Sequence, residues 1–171
     1  APTRNEHIAG YVDTGGILRV LCFNGSTWSD EWSGTTTVGG NGTNGRRFDI
    51  AYEKNSDIPM VVYSKNAAGA NELAYRRKTG AACGAANWTA EAPIDPTTTS
   101  GIVYWVKLAT KPISGSNELA LAFSDSNNHL SARIWNGSAW GSEPSAALQA
   151  APGLELAAVA GATDNFDLAY E

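Results

Sequence analysis

Apolar and polar residues alternate along most of this chain in short runs, and the runs recur in a fixed order. FDIAYE (48–53), VKLATK (106–111) and FDLAYE (166–171) share one in-out pattern and start 58 and 60 residues apart. Each of the first two is followed by a second apolar run, MVVYSK (60–65) or LALAFSD (119–125). A third comes next, ELAYRRKTG (72–80) or HLSARIWNG (129–137). A Trp-bearing segment closes each unit, ANWTAEAPI (86–94) and SAWGSEPSAAL (138–148). The N-terminal part matches from the second run onward, as IAGYVD (8–13), ILRVLCFNG (17–25) and STWSDEW (26–32). FNGSTW set against WNGSAW is the most specific piece of that match.

Runs of four to seven residues, rich in Val, Ile, Tyr, Phe and Trp and alternating with period two, predict β-strands. The links between them carry turn chemistry: Thr14-Gly15-Gly16, Asn127-Asn128, and the Asn-Gly pairs at 24–25 and 136–137. Asn-Gly accepts the positive φ angles of a tight hairpin. The Ala-rich stretch 146–162 contains helix formers, but Pro152-Gly153 interrupts it. The expected fold class is therefore all-β and propeller-like, with three four-stranded antiparallel blade repeats of about 57 residues. The rival, a stack of β-sandwich domains, needs about seven strands per domain.

The repeats are cut out of phase. Residues 1–47 supply strands two to four of one blade and a connecting loop. Residues 48–105 form the second blade, 106–165 the third, and 166–171 the first strand of the split blade. Rings of twisted sheets close at four to eight blades, so three need partners. Phe166, Leu168 and Tyr170 mark the candidate assembly strand, which would complete the split blade of another copy and give a ring or a filament. Adjacent repeats of a longer chain are the alternative partner.

Composition narrows the setting. The net charge of −5 argues against nucleic acid, which calls for a basic face, and no apolar run is long enough to span a membrane. Abundant Gly, Asn, Ser and Thr, a single Met and six Trp suit a secreted or cell-surface protein. Cys22 and Cys83 lie too far apart for a CxxC motif; they form either a disulfide or two buried thiols.

Signals for catalysis are missing. His7 and His129 sit in no metal motif, no GxSxG elbow positions a Ser, and VGGNGTNG (38–45) lacks the Lys-Ser/Thr of a phosphate loop. Asp49, Glu53, Asp167 and Glu171 recur with the repeat rather than forming one unique carboxylate pair. The chain is therefore expected to be no enzyme, with no cofactor and no metal.

The ending RIWNGSAW (133–140), echoed by RVLCFNGSTW (19–28), resembles the blades of six-bladed fucose-binding lectins. That resemblance implies glycan sites between blades. The family's sugar-gripping Arg on strand two has no counterpart here, and Ala132 and Val20 stand where its strand-three Glu would be. The words NELAY, NELAL, FDIAYE and NWTAE resemble blade repeats of large secreted bacterial surface proteins, which implies a scaffolding or adhesive role. The leading expectation is a non-catalytic extracellular module that self-assembles through complementary ends; the alternative is a carbohydrate-binding lectin. Candidate ligand or partner contacts are Trp32, Arg19, Arg76, Arg133 and Trp135. Trp28, Trp88 and Trp140 are expected to pack between blades. Asn24, Asn41, Asn87 and Asn136 lie in N-x-S/T sequons, of which Asn41 is the best placed for modification.

Overall fold

A strand with apolar residues on both faces is satisfied only when covered from both sides, and MVVYS in the middle of the chain is such a strand. The computed structural model describes residues 1–38, 45–95, 101–127 and 130–143. It is all-β, with no α-helix among the described residues and three antiparallel sheets. The first sheet holds β1 (His7–Val12), β2 (Ile17–Phe23) and β3 (Trp28–Thr37), in that order. The middle sheet runs β4 (Phe48–Tyr52), β5 (Pro59–Ser64), β6 (Leu73–Arg77), β7 (Ala92–Ile94). The third runs β8 (Val103–Thr110), β9 (Leu119–Asp125), β10 (Leu130–Trp135). Sequence neighbours pair throughout, as expected of meanders joined by short turns.

The middle sheet is covered on both faces. Met60 and Val62 of β5 join Ala51, Leu73 and Ile94 in one cluster with Val106, Leu108, Leu119, Leu121, Phe123 and Trp135 of the third sheet. Val61 and Tyr63, the alternate residues of β5, join Ala74 and Trp88 in a second cluster with Leu18 and Val20 of the first sheet. Full burial of each large aliphatic side chain contributes roughly 1.5–3 kcal/mol. Gly10 lets the first sheet come close, since a Cβ there would lie 2.6 Å from the Phe48 ring.

The leading strands of the middle and third sheets, β4 and β8, lie side by side. The Val106 amide donates to the Arg46 carbonyl at 2.8 Å, and Arg47 Nη1 donates to the Val103 carbonyl at 2.9 Å. The Leu108 amide donates to Asp49 Oδ2 at 2.8 Å, and Thr110 Oγ1 to the Tyr52 carbonyl at 2.8 Å.

Some details depart from the sequence pattern. Strand β8 begins at Val103 rather than 106, because a register shift between Val103 and Trp105 breaks the period there. The closing segment of the first unit runs on to Thr37, whereas those of the second and third units are shorter than the pattern suggested. Trp88 makes one isolated bridge to Lys78 before β7, and Trp140 one to Trp135. Residues 146–162, the segment 166–171 expected to form a strand, Asn41 and His129 lie outside the described residues.

Cys22 of β2 and Cys83, just after β6, are joined in a disulfide, with their Cα atoms 5.7 Å apart. The bond ties the first sheet to the middle one across 61 residues of chain. In the chain-entropy picture it stabilises by about 4 kcal/mol.

One buried charge lacks support. Glu72 is fully buried, and neither carboxylate oxygen has a hydrogen-bond partner. Burial, reinforced by nearby Asp95, Asp125 and Glu143, raises its pKa above the ordinary 4.5. The folded chain therefore holds this proton more tightly than the unfolded chain, and stability falls as pH climbs from 4.5 through the raised value. Glu72→Gln should raise stability at pH 7 by about 1–3 kcal/mol, with the gain vanishing below pH 4; urea titrations across that range measure it.

Candidate functional site

Strand β1 is where the fold is open. In the middle and third sheets the second strand lies between two others, and all six residues of β5 and all seven of β9 are buried. The matching strand of the first sheet, β1, is bonded on one side only, to β2. None of its residues is buried; Tyr11 is 49% and Val12 39% exposed. An apolar strand edge with free backbone groups is a template for another strand. The Tyr52 hydroxyl of β4 reaches toward one end of this edge and donates to Glu6 Oε1 at 3.4 Å. Burial first, and Glu6 second, raise the Tyr52 pKa, which keeps that hydroxyl protonated and donating.

β4, the strand that fills the corresponding edge in the middle sheet, does more than cover it. Its acidic residues reach across to the third sheet, Asp49 through the Leu108 amide and Glu53, just past the strand, through Trp135. Glu53 is fully buried and receives both Arg77 Nε and Nη2 at 2.7 Å, the Trp135 indole N–H at 2.9 Å, and the Ser56 hydroxyl. A carboxylate can be buried at that depth because charged and neutral donors satisfy both of its oxygens.

A second feature is a cleft of about 430 Å³ between β6–β7 and the end of β10, lined by Tyr75, Arg77, Thr89, Glu91, Trp135 and Ser138. Tyr75, Trp135 and Trp140 form an aromatic trio with centroids 5.6–6.0 Å apart. The Trp140 indole N–H is buried without a partner. The Glu91 carboxylate, which burial alone would push up, is held below its ordinary pKa by bonds from Lys65 and Tyr63.

The interface between the first and middle sheets is closed at the matching place. There Glu31 Oε2 accepts the Trp88 indole N–H at 2.7 Å and Glu31 Oε1 the Gly84 amide at 2.6 Å. Trp28-x-x-Glu31, Trp88-x-x-Glu91 and Trp140-x-x-Glu143 are one repeated motif. In the middle–third interface its Glu and Trp are not bonded to each other: Glu91 takes Tyr63 and Lys65, while Glu143 takes Arg133. Sequence reading compared the Trp positions but missed the acid three residues on, which was the available signal.

The residues singled out from sequence do not form one site. Trp32 lies inside the first interface, with Tyr63 and Trp88 at 5.7 and 5.9 Å and the Arg76 guanidinium 4.9 Å above its ring. Trp135 is 4% exposed and belongs to the second interface. Arg133, on the same face of β10, bonds Glu143 and the Asp95 carbonyl. Arg19 stands apart, paired with Asp13 at 2.8 Å. Trp28 differs from the packing expectation. It is 53% exposed and meets Phe23 at 5.4 Å, because it lies on the first sheet's outer face.

No family model matches the chain, and no curated protein matches it. Glu53→Ala should destabilise the fold by about 3–5 kcal/mol, since the buried Trp135 indole and the half-buried Arg77 guanidinium would both lose their partner. Glu31→Ala, whose lost donors are neutral, should cost about 1–3 kcal/mol. Chemical denaturation of the two variants tests this ranking.

Proposed function

We propose that this protein is a non-catalytic extracellular structural or adhesive module that assembles by completing its open first sheet. The observation that carries this is the contrast between β1, with no buried residue, and the fully buried β5 and β9. The occupant is the segment FDLAYE (166–171) of another copy, whose sequence repeats the FDIAYE that fills the same edge of the middle sheet. Backbone pairing would supply affinity and the alternate Phe166, Leu168 and Tyr170 the register.

The stacking of three sheets with β4 against β8 supports a propeller-like arrangement. Two such chains exchanging strands would make a six-bladed ring; an open exchange would make a filament. The disulfide supports an oxidising, secreted or surface location. Among the described residues no helix is long and apolar enough to cross a membrane.

A second reading, a lectin, is favoured by the cleft beside Trp135. Aromatic faces and the Arg77 guanidinium suit a polyhydroxylated ring.

Mass measured in solution over a range of concentrations tests assembly. The full chain should associate and the chain lacking 166–171 should stay monomeric; equal association of the two refutes strand exchange. Glycan-array screening tests the second reading: saturable binding abolished by Trp135→Ala with the fold intact supports it, and no binding to any sugar removes it.

A further inference from the structure

Lys78 departs from its counterparts in the repeat. It bridges to Trp88 at the position where Phe23 faces Trp28 and Trp135 faces Trp140, so the sister units place an aromatic ring there. Lys78 is fully buried instead. Its ammonium donates to Glu6 Oε2 at 2.7 Å, to Cys22 Sγ at 3.7 Å and to the Ala81 carbonyl at 3.4 Å. Burying an ammonium costs several kcal/mol unless it is paired, and an apolar ring would have filled the site without that cost. Glu6 supplies that pairing, and the next group beside the ammonium is the disulfide.

The two sulfurs differ in access. Cys22 is fully buried, whereas Cys83 is partly exposed and lines an open pocket of about 400 Å³ that also presents Arg4 and Asn24. We infer that Cys22–Cys83 is a thiol-exchange site, where a low-molecular-weight thiol attacks Cys83 and Cys22 departs as a thiolate held by Lys78. In this step the incoming thiolate sulfur bonds to Cys83 Sγ and the S–S bond breaks. Its electron pair leaves on Cys22 Sγ, beside the ammonium that stabilises the negative sulfur. A second thiol molecule then attacks the attached one, releasing its disulfide and leaving Cys83 reduced; two thiols are oxidised as one protein disulfide is reduced. A leaving sulfur of lowered basicity speeds such exchange. Arg4 of this pocket is already paired with Glu6 at 3.2 Å and Asp57 at 3.6 Å, and Glu6 lines the same pocket, so the site selects no charge on the incoming thiol.

The inference does not depend on strand exchange at β1. Its test treats the full chain with millimolar reduced glutathione, traps free thiols with an alkylating reagent and maps both cysteines by mass spectrometry. Glutathione on Cys83 with the alkyl label on Cys22 is the expected result. Sampled before the second exchange completes, glutathione on Cys22, an even mixture, or a disulfide left intact overturns it. Lys78→Met should slow formation of the adduct roughly threefold to tenfold. A lysine that only filled space would show the opposite, because loosened packing exposes the sulfurs and speeds attack; an unchanged or faster rate overturns the role given to Lys78. If the variant does not fold, the wild-type map alone decides.

Discussion

Each residue of β5 points to one of two interiors, and neither interior exists without a neighbouring sheet. Met60 and Val62 are covered only because the third sheet is in place, and Val61 and Tyr63 only because the first is. A four-stranded sheet with two apolar faces has no stable existence alone in water. From this dependence follow the stacking of the sheets, the closeness of β4 and β8, and the need for glycine at position 10. The first sheet lacks a counterpart of β4 among the described residues, and its leading strand β1 is paired on one side only.

Polar groups then fix how the stacked layers align. Apolar faces slide at low cost, but a buried carboxylate holding a specific indole or amide does not. Glu53 with Trp135, Asp49 with the Leu108 amide and Glu31 with Trp88 each bind one sheet to the next at a single register. Glu72, by contrast, is a buried acid without such a partner. The same chemistry therefore appears here both as an alignment device and as a strain on stability.

The strands and their order were legible because period two and the Asn-Gly turns are local signals. The repeat placed β1 to β6 and β9 to β10 within a few residues. The start of β8 was hidden because VYWV reads as one continuous apolar run, and only the register shift at Tyr104 shows how it divides. Side-chain roles were harder to read. Trp32, a candidate contact beside the acidic Asp30-Glu31, has the neighbouring sheet folded over it. Trp28 recurs like Trp88 and Trp140 but has no sheet beyond it among the described residues to pack against. Lys78 follows Arg76 and Arg77 in the sequence, and nothing local announces that Glu6, more than seventy residues away, will meet it. Pairings between sheets depend on long-range geometry that single-sequence periodicity does not carry.

The placement of the cross-link also shapes how the molecule would bear load. Cys22–Cys83 clamps the first sheet to the middle one, while the third is held by packing and hydrogen bonds alone. Under tension from its ends the third sheet would peel away first. The 61-residue loop behind the clamp would stay folded up, withholding roughly 200 Å of extension. Stretching would thus come in two stages, the second available only after the sulfur bond is cut.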